Sequence, residues 1–147
     1  MDTDKTKHLE FIQNIITRMN TNSFQIKGMS ITIVAAFLAF YASTSNVVFI
    51  FLGIIPTLLF WFLDSYYLQQ ERKFRGVYED VAGLKQRLKI RPFDMPIKEY
   101  TKAIDNNFSF WKAFLSLKNY LLYLSIIILL IIVGVLLTYR DCLIINK

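Results

Sequence analysis

Of the side chains that most often carry chemistry, this chain has one histidine and one cysteine, His8 and Cys142. A metal site needs several converging donors, and a nucleophile needs a positioned base. His8 stands on a charged N-terminal segment with no second histidine and no cysteine near it, and reads as a solvated side chain. Cys142 follows Arg140 by two residues and has no intramolecular partner, so an unpaired thiol is the default and a bridge between copies the alternative. The carboxylates Asp64, Glu71, Glu79 and Asp80 lie among Arg72, Lys73 and Arg75 at spacings that suit helix salt bridges better than acid–base work. No glycine-rich phosphate loop, serine elbow or paired-carboxylate motif is present. No enzyme activity, cofactor or metal is therefore expected. What remains is positive charge: Lys85, Arg87, Lys89, Arg91, Lys98 and Lys102 form a basic stretch that could receive an anionic messenger or a protein partner. The competing reading is a solvated basic face.

The elements that must position these residues follow from hydropathy. The chain has 147 residues, 54% hydrophobic and 16% aromatic, with 17 Lys plus Arg against 11 Asp plus Glu. Its mean hydropathy is +0.39. That excludes a disordered tail or a disulfide miniprotein. Gly28 to Leu63 is a run of 36 residues without Asp, Glu, Lys or Arg, and Asn119 to Tyr139 is a run of 21. About 20 residues cross a bilayer as one helix. The longer run divides at Ser43-Thr44-Ser45-Asn46 into a hairpin of two spans, and a third span runs from Tyr120 to about Thr138. The first span gains length from Phe24 and Ile26, with Lys27 reaching back to the headgroups. Gly53 and Pro56 mark a kink or hinge in the second span. Charge-free spans lack the usual machinery for proton relays or voltage sensing. Any conducting pore would need several copies with a weakly polar lining.

Fifteen of the basic residues fall in 1–28 and 64–119, none in the hairpin turn and two in the tail after Tyr139. By the positive-inside rule the N-terminus and the middle segment are cytoplasmic, and the tail lies outside. The +6 net charge is mostly this topological signal; direct nucleic-acid binding is not expected. No signal peptide is expected, because the first apolar block begins behind an amphipathic stretch without a cleavage site.

Leu9, Ile12, Ile16 and Met19 repeat at helical spacing, predicting an amphipathic helix over Asp4 to Asn20 that Asn20-Thr21-Asn22-Ser23 ends. After the second span, Tyr67, Gln70, Phe74, Val77, Val81, Leu84 and Leu88 follow at alternating steps of 3 and 4. With no proline between Pro56 and Pro92, this seam predicts a long cytoplasmic stalk continuous with the span. Gly76 and Gly83 each cost such a helix up to about 1 kcal/mol. The seam needs a partner: the N-terminal helix is the first choice, a second copy the other. Arg91 to Pro96 closes the stalk, and a return helix from Pro96 to about Asp105 presents Ile97, Tyr100 and Ile104. Ser109 is placed to cap a final helix running into the third span through Phe108, Phe110, Trp111, Phe114 and Tyr120. These rings, with Trp61, Tyr66 and Tyr67, read as interfacial anchors rather than a ligand cage.

The expected class is an all-α membrane protein, divided into an N-terminal amphipathic helix (1–27), a transmembrane hairpin (28–63), a cytoplasmic stalk and return helix (64–119), a third transmembrane helix (120–139) and an outer tail (140–147). The stretch Phe60-Trp61-Phe62-Leu63-Asp64-Ser65-Tyr66-Tyr67-Leu68-Gln69-Gln70-Glu71-Arg72, with the hairpin before it and His8-Leu9-Glu10-Phe11-Ile12-Gln13, resembles small bacterial membrane proteins. The layout over about residues 5–90 is similar to the two-transmembrane SLATT effectors of bacterial conflict systems; the third span departs from that plan. The resemblance implies an oligomeric effector that compromises the inner membrane when a partner signals infection, and it transfers no site residues. Two functions are thus expected in order: a non-enzymatic inner-membrane effector, depolarising or pore-forming and triggered through its cytoplasmic helices, or a membrane scaffold that recruits a soluble partner.

Overall fold

The computed structural model describes residues 3–102 and 106–145, and all regular structure among them is helical. The elements are α1 (Thr3–Thr44), α2 (Val48–Leu52), α3 (Ile54–Ala82), α4 (Ile97–Lys102), a 3-10 turn (Asn106–Phe108), α5 (Phe110–Phe114) and α6 (Leu117–Ile145). Among the described residues three stretches are long and apolar enough to cross a membrane: α1, α2 with α3, and α6. The chain is a membrane protein. It divides into a polar unit (Met1–Phe24 with Ser65–Leu115) and an apolar unit (Gln25–Asp64 with Ser116–Lys147).

The apolar unit turns where the sequence offers polar backbone partners. α1 ends at Thr44, Ser45 takes φ 54°, and the Asn46 side-chain oxygen accepts the Val48 N–H at 3.0 Å. Asn is suited to this because its carboxamide mimics a backbone turn. Gly53 interrupts the second span, its N–H donating to the carbonyls of both Phe49 and Ile50. Pro56 then falls in the first turn of α3, where a missing N–H costs little. The Thr57 hydroxyl donates to the Gly53 carbonyl at 2.8 Å. Close approach is the second device. A Cβ on Gly134 of α6 would lie 2.7 Å from the Phe51 ring, so glycine is what lets α2 lie on α6. The outward faces stay uncovered, with Met29, Ile31, Leu59, Phe62, Leu129, Ile132 and Leu136 exposed. At most 33% of the most apolar stretch of any spanning helix is buried.

The polar unit has its own hydrophobic core. Ile12 and Ile16 of α1, Phe74 and Val77 of α3, Tyr100 of α4 and Phe108 are buried together. Ile15, Met19, Tyr78 and Val81 close around them, as do Leu88, Ile90, Met95 and Ile97 from the segment after α3. Gly76 permits a close contact within this core. A Cβ there would meet the Tyr100 and Phe108 rings at 2.8 and 2.9 Å. Gly76 is therefore a packing requirement, and its cost to helix propensity is secondary.

Three sequence expectations are corrected. α1 runs through Asn20–Ser23 without a break, because the Thr17 and Thr21 hydroxyls turn back onto the Gln13 and Thr17 carbonyls and satisfy themselves inside the helix. α3 stops at Ala82, ten residues before Pro92, so the seam does not continue as helix through Leu84 and Leu88. The stop is Gly83 at φ +85°, with the Leu84 N–H on the Glu79 carbonyl and the Gly83 N–H on the Asp80 carbonyl, the paired bonds of a Schellman cap. Leu84 is 73% exposed beyond it, while Leu88 folds back onto the core from the loop. The final helix is also broken: α5 ends at Phe114 and α6 starts at Leu117, and Ser109 takes the cap position of α5 without a side-chain cap bond. Ile104 lies outside the described residues.

Candidate functional site

Beyond Gly83 the chain turns back and returns cations to α3. The Arg87 guanidinium is 14% exposed, 2.7 Å from Glu79 and 3.7 Å from Asp80, and its centre lies 5.6 Å from the centroid of the Phe108 ring. Asp80 also accepts the Arg87 and Leu88 backbone N–H groups and the Tyr100 hydroxyl. Burial and the Asp80 carboxylate raise the Tyr100 phenol well above its ordinary pKa, so it remains a donor. Burial alone would raise the Glu79 carboxyl, but hydrogen bonds and charge from Arg87 and Lys85 outweigh it and hold the pKa below the ordinary value.

Of these groups Glu79, Lys85, Arg87 and Phe108 line a cleft of about 440 Å³. Arg72, Arg75, Gly76 and Glu79 line it from one face of α3, Lys85 and Arg87 from the returning loop, Asn107 and Phe108 from the 3-10 turn, and Lys112 from α5. Helical spacing explains the α3 face, since residues three and four apart stand one above another. Asn107 bridges two walls: Lys112 Nζ donates to its side-chain oxygen at 2.8 Å and Arg72 to its backbone carbonyl at 3.5 Å. Gln69 fixes the turn by donating to the Phe108 carbonyl at 3.0 Å.

The basic stretch picked out from the sequence is thus divided. Lys85 and Arg87 line the cleft; Lys89, Arg91 and Lys98 are exposed elsewhere, and the Lys102 side chain is outside the described set. Arg72, Arg75 and Lys112 were not singled out as binding residues. The missing signal was the chain reversal, which Gly83 announces but which a reading of the seam as uninterrupted helix conceals.

His8 is also corrected. It is 1% exposed, not solvated: its ring packs 5.6 Å from Phe93, and Nδ1 accepts the Phe93 N–H at 3.3 Å. Phe93 holds φ 63°, a strained conformation for an aromatic residue, so His8 pins an unusual piece of backbone. Burial lowers the His8 pKa, with Asp94 opposing.

In the apolar unit, Asp64 does not join the α3 cations. It is fully buried and lies 2.5 Å from Lys27 of α1, which therefore does not simply reach for headgroups. Asp64 shares its helix face with Thr57 and Trp61, and the Tyr123 hydroxyl of α6 lies beside its carboxylate. Trp61, expected as an anchor, is 8% exposed and stacked on Tyr123 with a centroid separation of 6.2 Å. Gly53 and Pro56 lie at the α2–α3 break, and Cys142 is exposed. Among the seam residues, Phe74 and Val77 are buried against α1, while Tyr67 and Gln70 are half-buried. No group of three metal-ligating side chains occurs among the described residues. Comparison with family models, curated proteins and solved structures returns no match.

Proposed function

We propose that the chain is a non-enzymatic effector of the bacterial inner membrane that acts as an oligomer, depolarising the membrane or opening a pore when its polar unit receives a signal. In this reading the N-terminus and residues 64–119 are cytoplasmic and the tail is outside, as the basic residues dictate. The observation that carries it is the surface of the three apolar helices, whose exposed side chains give each copy more apolar area than it covers by itself. Lipid covers part of that area, and copies of the chain cover the rest. The break at Gly53 supplies a place where the second span changes shape. The resemblance to SLATT effectors points the same way.

The test is expression in a bacterium carrying a potential-sensitive dye, with size measurement of the detergent-solubilised protein. Loss of potential together with an oligomer is expected. An unchanged potential and a monomer would overturn the proposal.

A further inference from the structure

We propose that the apolar unit holds bound water in its polar core, on Ser30, Asn119 and the Asp64 carboxylate. The site depends on the bilayer around it and not on effector action.

Three helix faces converge there. Lys27 and Ser30 stand one turn apart on α1, Trp61 and Asp64 on α3, and Asn119 and Tyr123 on α6. The Lys27–Asp64 contact at 2.5 Å, the Trp61–Tyr123 stack and the Tyr123 hydroxyl beside Asp64 tie the three faces together. Ser30, Asp64, Asn119 and Tyr123 are each no more than 2% exposed.

Two groups of this core are enclosed without a protein partner. Among the described residues, the Ser30 hydroxyl and the Asn119 side-chain nitrogen are shut off from solvent and make no hydrogen bond. Ser30 has an alternative that it does not take. The hydroxyls of Thr32, Thr57, Ser125 and Thr138 turn onto carbonyls of their own helices at 2.8–3.0 Å, whereas that of Ser30 leaves its own backbone and faces the packed interior. A buried polar group left unpaired is costly, and hydrocarbon offers it nothing.

The neighbours select the occupant. The Asp64 carboxylate repels an anion and the Lys27 ammonium repels a cation, so the occupant is neutral. The Asn119 amide nitrogen needs an acceptor and a carboxylate takes a donor, so the occupant must both accept and donate. Water meets these conditions in the smallest volume, and a few convergent polar groups of this kind are what hold a buried water in proteins.

Hydroxyl-radical footprinting of the full chain in phosphatidylcholine nanodiscs tests the site, because an X-ray pulse makes radicals from bound water as well as from bulk water and they oxidise the nearest ring. Tyr100 is the internal standard, the same side chain at 1% exposure but packed in the hydrophobic core of the polar unit. Tyr123 should be oxidised several-fold faster than Tyr100. Ser30→Ala and Asn119→Leu should each bring Tyr123 toward the Tyr100 rate, and Ser125→Ala, whose hydroxyl already bonds its own helix, should leave it unchanged. The melting temperature adds a sign. Removing an unpaired hydroxyl from a dry core stabilises a protein, whereas removing a partner of bound water destabilises it, so Ser30→Ala should melt at a lower temperature. Circular dichroism checks that each variant is folded. Tyr123 oxidised no faster than Tyr100, or a higher melting temperature for Ser30→Ala, overturns the proposal.

Discussion

The two units solve opposite problems with the same elements. The polar unit hides an apolar core and leaves part of its charge open to water, the Lys85–Glu79 pair and the arginine of Arg75–Glu71, while Glu71 and the Asp80 side chain are buried. The apolar unit leaves many hydrophobic side chains outside and encloses polar ones: Asp64, with the partly exposed Lys27 against it, Thr57, Ser30 and Tyr123. In water, burial of apolar area supplies the drive to pack. Between apolar helices in lipid that drive is absent, and close packing and buried polar contacts must specify which faces meet. An ion pair thus carries different weight in the two places. At the rim it contributes little; where one partner is fully buried, as Asp64 is, breaking the pair costs more.

The largest expected effect tests that contrast directly. Asp64→Ala removes a fully buried carboxylate from a Lys27 side chain that is 22% exposed and should cost about 3 kcal/mol, the low end for breaking a buried pair. Lys85→Ala removes the more open pair, whose side chains are 55% and 35% exposed, and should change stability by less than about 1 kcal/mol. Denaturant titration of the solubilised protein, followed by Trp61 fluorescence for the first and circular dichroism for the second, measures both. The double change Lys27→Met with Asp64→Leu should recover most of the loss, since it removes both charges and retains bulk. If the single and double variants are equally damaged, the pair is not what holds the three helices in register.

Glycine sharpens the comparison at intermediate magnitude. Gly76→Ala drives a methyl into the Tyr100 and Phe108 rings, both at least 95% buried and packed on all sides, and should cost about 1–3 kcal/mol. Gly134→Ala meets one ring, Phe51, which is 39% exposed and can swing outward. Its cost should be smaller, about 1 kcal/mol or less, despite a contact of 2.7 Å. Thermal melts of the two variants side by side decide this. The reverse order would mean that the apolar unit is the more rigidly packed of the two.

How much of this was legible in the sequence depends on whether the signal was local. The charge-free runs and the Ser43–Asn46 turn are local, and the helices and hairpin follow from them. Ile12, Ile16, Phe74 and Val77 were visible as apolar stripes, because a helix repeats its faces at fixed intervals. Gly83 was visible too, but glycine in a helical pattern can be a tolerated cost or a stop, and its left-handed φ decides for the stop. Everything downstream of that choice was hidden. Arg87 meets Glu79 by reversing the chain, and Lys112 meets Arg72 through Asn107, contacts between segments that no periodicity connects. The same holds for Asp64 and Lys27: 37 residues separate them, and each has nearer oppositely charged or polar neighbours in sequence. His8 looked solvated because its surroundings in sequence are charged, although its surroundings in space are Phe93 and the loop.

His8 gives the smallest of these effects and the one most confined to a single unit. Its folded pKa lies below the ordinary value of 6.5 because burial disfavours the imidazolium, and the neutral ring accepts the Phe93 N–H through Nδ1. The unfolded chain therefore binds the proton more readily than the folded one, so stability rises with pH across the interval between the two pKa values. The contribution is complete above about pH 6.5, declines as the pH falls through that interval, and levels off once it is below the folded pKa. Protonation also converts Nδ1 from acceptor to donor, which removes the bond that holds Phe93 at φ 63°. Hydrogen exchange at the Phe93 amide should accelerate on acidification beyond the change in intrinsic chemistry, and His8→Leu should abolish the pH dependence of that protection. The Trp61–Tyr123 stack has no histidine in its unit, and its fluorescence should not follow the same titration. A shared midpoint in both signals would show that the polar and apolar units unfold as one, and the contrast between them would then describe two styles of packing within a single cooperative structure.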